Sequence, residues 1–230
     1  MDSPSRAGLL FRVEMLSEID PAEFVEAVQP VLEKQDMQSL LQLLKSRWTA
    51  AQIISLLAGE HCDARKVAAL CLSLVGCPAC LNDLAKQLKD PDPVVNQMAE
   101  HAMWAIWFRA GTPDANDQLH RGALALNRRD FEHAVKHFTK AIELAPRFAE
   151  AFNQRAIAKY LQEEYAASIE DCETAAELMP IHFGAWAGMG HCHAHLGNID
   201  RAVEAYERAL EINPHLSCIR EALGELKQKI

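Results

Sequence analysis

"FEHAVKHFTKAIELAP" (131–146), "YAASIEDCETAAELMP" (165–180) and "IDRAVEAYERALEINP" (199–214) line up along the chain, and their closing prolines at 146, 180 and 214 stand 34 residues apart. Within each block apolar residues recur at helical spacing, and each block stops at a proline, which cannot continue a helix. A fixed period of this length is the mark of a repeat architecture, so we expect one structural unit per period.

Small residues recur at fixed registers in and upstream of these blocks. In the blocks they are Ala134, Ser168 and Ala202, and then Ala141, Ala175 and Ala209, with Phe138, Cys172 and Tyr206 between them. Upstream they are Gly122, Ala156 and Gly190. Small residues let two helices approach closely, and the residue between them fills the remaining gap. Each period is therefore predicted to fold as a pair of packed helices.

The pattern resembles the tetratricopeptide repeat (TPR). The last copy carries it most fully, in Trp186, Met189, Gly190, His193, Ala202, Tyr206 and Pro214. The resemblance implies three units within 111–214, at about 113–146, 147–180 and 181–214. The segment 215–230 is then expected to form a trailing helix whose polar outer face caps the stack.

The first half of the chain carries a weaker repeat. "LNDLAKQLKDPDPVVNQMAEHAMWAIW" (81–107) matches "AAQIISLLAGEHCDARKVAALCLSLVG" (50–76) in its apolar positions, and an earlier copy is fainter. Helix pairs with a turn of this kind are similar to HEAT repeats, so a HEAT-like array is expected over 16–110, with 1–15 as a possibly frayed lead-in. The predicted fold class is all-α: an α-solenoid of antiparallel helix pairs, in which a HEAT-like array continues into three TPRs and a C-terminal capping helix.

The junction between the two arrays contains Trp104 and Trp107, one helical turn apart. We expect these rings to pack the arrays together, which would give one continuous rod. Gly111 is then expected to be a left-handed helix cap, Thr112 the next N-cap, and Pro113 part of the next first turn.

For function, the resemblance implies a concave groove, made by the first helix of each TPR, that holds a peptide or helix of a partner protein. Placed by the repeat register, the groove residues are Asn116, Leu119, Ala123, Asn127, Glu150, Asn153, Ile157, Tyr160, Gly184, Ala187 and His191. The polar members could meet a peptide backbone, and the apolar members could meet apolar side chains. A merely solvated face is the alternative.

One family role is testable from the residues. TPR co-chaperones hold the carboxylate tail of heat-shock chaperones with a clamp of lysine, arginine and asparagine side chains. In the matching register this chain has Leu119, Ala123, Gln154, Gly184 and Gly188. No cation is present there to pair with a carboxylate, so the partner is predicted not to be a carboxylate-clamp chaperone tail.

A second hypothesis comes from "GHCHAHLG" (190–197). Only His191 and His195 share a helix face, whereas His193 is turned toward the core. Cys77 and Cys80 have the spacing of a zinc or redox half-site. The alternative function is therefore a metal- or redox-linked protein that uses one of these pairs. Catalytic motifs are not apparent, so the leading prediction is a non-enzymatic interaction scaffold with no cofactor.

Composition limits the partners and the compartment. The chain has 23 basic and 32 acidic residues and a net charge of −9, which disfavours nucleic acid as a partner. Apolar runs are too short for a membrane span, and the first residues do not resemble a secretion signal. Seven cysteines spread along the chain do not suggest a disulfide framework. A cytoplasmic protein with no membrane partner is expected.

Overall fold

The computed structural model describes residues 18–228, and within that range the chain is helical throughout apart from turns and contains no strand. The all-α prediction is confirmed. The helices are α1 (Pro21–Glu33), α2 (Met37–Arg47), α3 (Ala50–Ser55), α4 (Cys62–Val75), α5 (Leu81–Gln87), α6 (Pro93–Trp107), α7 (Pro113–Asn127), α8 (Phe131–Leu144), α9 (Ala149–Leu161), α10 (Tyr165–Leu178), α11 (Phe183–His195), α12 (Ile199–Ile212) and α13 (Ser217–Lys227). Single 3-10 turns follow α3 and precede α5. The predicted lead-in at 1–15 lies outside the described residues.

Helices α7 to α12 form three hairpins, which we call the first, second and third repeats. Each helix packs on its hairpin partner, and the first and second hairpins also pack on the next hairpin along the chain. The turns within the hairpins place Arg129, Glu163 and Gly197 at positive φ of 62°, 63° and 74°, one period apart. The residue after each of them donates its N–H to a carbonyl five positions back, which closes the helix end.

Close approach within the hairpins follows the predicted small residues. A Cβ added at Gly122 would lie 2.4 Å from the Phe138 ring, and one added at Gly190 would lie 2.3 Å from the Tyr206 ring. Both rings are buried. The aromatic residue of the second helix therefore occupies the space that the glycine of the first helix leaves open.

The chain ahead of the repeats, α1 to α6, is called the N-terminal array. α4 packs on α6, and α5 packs on α6, around a shared apolar core that includes Leu72 and Met103. The Arg109 guanidinium, just after α6, ties the end of α6 to the end of α4 by donating to the carbonyls of Leu72, Ser73 and Gly76. The HEAT-like character of this array stays a prediction.

The two tryptophans at the end of α6 do pack the arrays together, but the expected rod is wrong. Trp104 and Trp107 contact Phe183 at the start of the third repeat, with ring centroids 5.4 and 5.1 Å apart. Asn213, just after α12, donates to Glu100 of α6 at 3.1 Å. Because α6 contacts both the start and the end of the third repeat, the N-terminal array lies along the edge of the repeats instead of extending them.

At the junction, the predicted N-cap and first-turn residues are confirmed. The Thr112 hydroxyl accepts the Ala115 N–H, and Pro113 begins α7. Gly111 is not at positive φ, so its predicted role as a left-handed cap is wrong. A Cβ there would lie 2.6 Å from the Phe148 ring, so glycine is required for close approach to the next repeat.

Helix α13 covers the end of the third repeat. It packs on α12, burying Ile219 and Leu226. Its solvent side exposes Arg220, Glu221 and Glu225. The last apolar surface of the stack is thereby covered by a helix whose other face is polar.

Candidate partner-binding cleft

A cleft of about 260 Å³ opens between α9 and α11, with α10 behind it. α9 and α11 are the first helices of consecutive repeats and lie in contact. We call this cavity the partner cleft. Its lining residues are Asn153, Ala156, Ile157, Tyr160, Leu161, Ser168, Cys172, Gly188 and His191.

The rim of the partner cleft is apolar and reaches solvent. Ile157 is 37% exposed and Leu161, one turn further along α9, is 45% exposed. The floor is closed by Ala156 and Cys172, which are both buried. Exposed aliphatic side chains beside a cavity with an apolar floor can accept an apolar group from another molecule.

The depth of the cleft depends on Gly188. A Cβ added there would lie 3.0 Å from the Cys172 Sγ, at the limit of contact. Any larger side chain at this position would fill the space between α11 and α10. Because residue 188 is glycine, the cleft extends down to Cys172.

Two rings that line the cleft, Tyr160 and His191, belong to a larger cluster of tyrosine and histidine rings. The Tyr160 hydroxyl lies 2.8 Å from Nε2 of His195, and the Tyr206 hydroxyl lies 2.8 Å from Nδ1 of His191. Tyr165 stacks on His195 with ring centroids 4.7 Å apart. The Tyr160–His195 contact joins the second repeat to the third, whereas the Tyr206–His191 contact lies within the third repeat. Together they fix both histidines of "GHCHAHLG" that share a helix face.

Burial sets the ionisation of this cluster. It lowers the pKa of His191, and the neighbouring charge of His195 lowers it further. Burial also raises the pKa of Tyr206 to about 12 and raises that of Tyr160. At neutral pH the cleft is therefore lined by the neutral imidazole of His191 and the neutral phenol of Tyr160, which suits an uncharged guest.

The described part of the chain contains no assembled site that would support the metal or redox hypothesis. Among residues 18–228, no three histidine, cysteine or acidic side chains come together as a ligand group. Cys80 is buried and its Sγ accepts the Cys77 N–H at 3.3 Å. Burial raises the pKa of the Cys80 thiol, which opposes thiolate formation.

Several predicted groove residues lie in the interior instead. Glu150 is buried, and its carboxylate is 2.7 Å from Nε2 of His182 and accepts Nε2–H of Gln154 at 2.7 Å. Asn153 is also buried and points its amide at the same carboxylate, although one side of it reaches the cleft. Leu119 is fully buried in the core of the first repeat. Glu150 and Leu119 are therefore wrongly placed in a groove that a partner contacts.

Other predicted groove residues are hydrogen-bonded to, or covered by, other parts of the same chain. Asn116 holds the loop before α7, accepting the Gly111 N–H and donating to the Arg109 carbonyl. A Cβ on Gly184 would lie 2.8 Å from Trp104, which covers this position. Ala187 packs on the core of the third repeat. The reason for these errors is that register alone does not show which part of a helix face a neighbouring element covers.

Only some of the predicted groove residues line the partner cleft. The structure brings Asn153, Ile157, Tyr160 and His191 together around the partner cleft. Ala123 and exposed Asn127 lie on α7 and do not line it. The lining residues that the sequence analysis missed are Ala156, Leu161, Ser168, Cys172 and Gly188. Gly188 is one of the two glycines in the clamp register, but the sequence does not show that Cys172 lies close enough for a Cβ at 188 to contact it.

The family comparisons agree with this geometry. Models of the tetratricopeptide repeat match residues 119–180 and 184–216. This chain carries tetratricopeptide repeats. The matched segments run from within α7 to just beyond α12 and include α9, α10 and α11, the helices that line the partner cleft.

Relatives with TPRs are found among curated proteins and solved structures. A TPR repeat-containing protein of Rhizobium etli is 28% identical over 151 residues, covering 65% of this chain and 74% of the relative. A small glutamine-rich TPR-containing protein of Mycosarcoma maydis is 28% identical over 109 residues, which is 47% of this chain but only 31% of that protein. The first TPR domain of Spaghetti (RPAP3), solved with an HSP90 peptide, matches with a TM-score of 0.50 and 22% identity over 50% of this chain and 92% of that domain.

These likenesses establish the repeat fold over about half of the chain. The matched segment spans about a third of the length of the fungal relative. Within residues 18–228, none of the helices combines the length and the apolar character needed to cross a bilayer.

Proposed function

We propose that this protein is a non-catalytic adaptor that holds a segment of a partner protein in the partner cleft. The observation that carries the proposal is the cleft itself, about 260 Å³ between α9 and α11 and bordered by exposed Ile157. An apolar side chain of the partner enters between Ile157 and Tyr160. The backbone of the partner then runs along the rim, where it contacts Leu161.

The size of the cleft favours a side chain over a small-molecule ligand. Pockets for small molecules usually measure about 300–1,000 Å³ and enclose most of the ligand. The partner cleft is below that range and opens to solvent along α9. Recognition of one anchoring side chain within a longer segment is the mode that fits such a cavity.

We further propose that the partner is not a free carboxylate tail. Spaghetti (RPAP3) has been solved with the HSP90 peptide SRMEEVD. Here Leu119 is buried, Gln154 is bound to Glu150, and Gly184 is covered by Trp104. None of the clamp positions offers a cation to a carboxylate.

The nearest cations on the second repeat are already neutralised. The Arg155 guanidinium donates to both carboxylate oxygens of Asp171, at 2.8 and 2.7 Å, and the Lys159 ammonium lies 2.7 Å from the same carboxylate. All three side chains are largely buried. Redirecting either cation to a ligand would leave Asp171 buried with a weaker partner, which is costly.

We also propose that the protein is located in the cytoplasm. The seven cysteines are free thiols, which supports a reducing compartment such as the cytoplasm. The N-terminal array, which we propose to be HEAT-like, adds a second helical surface beside the repeats.

Site-specific photo-crosslinking tests the proposal. A photoreactive amino acid replaces Ile157 in one variant and Leu144 in another; both residues are exposed aliphatic positions, but Leu144 at the end of α8 is outside the cleft. After irradiation in cells, the variant at 157 should yield a discrete adduct whose mapped segment contains an apolar side chain. No adduct at 157, or the same adduct from 144, would show that the cleft does not hold a partner.

A further inference from the structure

A second groove runs along the outside of the repeats, between α10 and α12. It consists of two adjoining cavities of about 600 and about 340 Å³ that share Glu173, Trp186 and Met189. We call it the outer groove. Its other lining residues are Ala176, Glu177, Pro180, His193, Arg201, Glu204 and Ala205.

The outer groove is separate from the partner cleft. Gly188 and His191 of α11 line the partner cleft, whereas Trp186, Met189 and His193 line the outer groove. At about 100° per residue these two sets face opposite sides of the helix. The two surfaces can therefore be occupied and mutated independently.

The floor of the outer groove contains an aromatic ring and a buried histidine nitrogen that lacks a hydrogen-bond partner among the described residues. The Trp186 indole N–H donates to the Pro180 carbonyl at 3.1 Å, which fixes the ring while its side chain stays partly exposed. His193 is only 6% exposed, and its Nδ1 has no hydrogen-bond partner among residues 18–228. Buried polar atoms without a hydrogen-bond partner are uncommon in native proteins, so Nδ1 of His193 offers a hydrogen-bonding group to a molecule that enters the groove.

The rim of the outer groove carries unbalanced negative charge. Glu173, Glu177 and Glu204 are exposed, and none of them forms an ion pair within the described range 18–228. By contrast, the exposed Glu132 on α8 is held by Lys136 at 2.8 Å. Arg201 is the single cation that lines the outer groove, so the rim is negative overall.

We propose that the outer groove is a second docking site, for a protein segment that presents a lysine or arginine beside an apolar side chain. The cation lies among the three carboxylates and over the Trp186 ring, an arrangement that attracts cationic groups. The apolar side chain packs on Met189 and Ala176. The negative rim opposes nucleic acid and anionic lipid, which narrows the occupant to a basic protein segment.

Nuclear magnetic resonance on the full chain tests this site. The probes are short synthetic helical peptides with leucine, methionine or phenylalanine four positions from a lysine or arginine, and the same peptides with glutamate in place of the cation. The reporter is the indole N–H signal of Trp186, assigned by its loss in Trp186→Phe. Cationic peptides should shift this signal saturably below about 1 mM, and the glutamate peptides should not.

Matched charge variants make the test specific. Neutralising the rim with Glu173→Gln, Glu177→Gln and Glu204→Gln should weaken binding about tenfold. Neutralising Glu132, Glu143 and Glu163, which are exposed but outside the groove, removes the same charge and should leave the affinity within about twofold. Ile157→Glu should also leave it unchanged, so this site and the partner cleft can fail separately.

Four results would overturn the second site. The first is that no cationic peptide shifts the Trp186 signal. The second is that glutamate peptides bind equally well. The third is an equal loss of affinity in the two sets of charge variants. The fourth is a signal that shifts with protein concentration alone, which would assign the groove to a second copy of this chain.

Discussion

Trp107 lies stacked on His182, with ring centroids 4.1 Å apart and planes inclined by 12°. At the edge of the same imidazole ring, Nε2 is 2.7 Å from the buried carboxylate of Glu150. One histidine thus joins the N-terminal array, the second repeat and the third repeat. This contact holds the N-terminal array against the edge of the repeats and leaves the partner cleft, further along α9 and α11, open.

Removing the Trp107 ring should destabilise the whole chain. Trp107→Ala should cost about 3–5 kcal/mol of unfolding free energy, because it leaves a cavity against His182 and Phe183. Trp107→Phe keeps most of the ring and removes an indole N–H that has no partner among the described residues, so it should cost far less. Chemical denaturation measures both. Equal, small losses in the two variants would mean that the array is not anchored here.

Replacing the glycine at a helix crossing, Gly190, should destabilise the fold, whereas replacing Gly224 in α13 should not. Gly190→Ala pushes a Cβ to 2.3 Å from the Tyr206 ring and should cost about 1–3 kcal/mol. Gly224→Ala in α13 meets nothing within 4 Å and should stabilise the helix by about 0.5–1 kcal/mol. Thermal or urea unfolding of the pair checks the opposite signs. A neutral Gly190→Ala would contradict the close crossing of α11 and α12.

Stability should fall as the pH drops through the ordinary range of histidine. Burial lowers the pKa of His191, as does the charge of His195; burial, followed by Arg201, lowers that of His193. The unfolded chain then binds more protons near and below about pH 6.5, so folding free energy is lost there as the pH falls. The lowered pKa of exposed Asp130 acts only at more acidic pH, below about 4.

His193→Phe isolates one part of this pH dependence. The variant keeps an aromatic ring at the position but removes the buried titrating group. Its free energy of unfolding should fall less than that of the natural chain between about pH 7.5 and about pH 5.5. Denaturation curves at several pH values measure the difference. Parallel curves for the two proteins would show that His193 does not contribute.

The carboxylate peptide SRMEEVD should bind poorly. The clamp positions carry no cation, and Arg155 and Lys159 are held by Asp171, so we expect a Kd weaker than about 1 mM by calorimetry. The RPAP3 domain that was solved with an HSP90 peptide serves as the positive control. A Kd near or below about 10 µM would place this chain among carboxylate-binding TPR proteins.

The repeat fold could be predicted from the sequence because its information is local and periodic. Gly122 with Phe138, and Gly190 with Tyr206, specify the same helix crossing in different repeats, so each copy supports the others. The turn residues recur with the same period. These signals lie within one repeat, so the fold of each repeat can be predicted without knowing how distant parts of the chain pack.

The candidate site could be predicted only in part because it depends on packing across repeats. Helical register predicted that Ile157, Tyr160 and His191 share one groove, and all three line the partner cleft. It could not show that His182 would draw Glu150 inward, since that pair forms between different hairpins. Nor could it show that Trp104 would cover Gly184, because this contact depends on how the N-terminal array folds back.

The central claim is that the partner cleft binds an apolar side chain of a partner segment, and affinity at Ile157 tests it most directly. The segment mapped by crosslinking is synthesised, and its Kd is measured with the natural chain, Ile157→Glu and the exposed control Leu144→Glu. We predict that Ile157→Glu weakens binding at least about tenfold, because a carboxylate would enter an apolar cleft, while Leu144→Glu leaves the Kd unchanged. Equal Kd values for all three proteins would contradict the account.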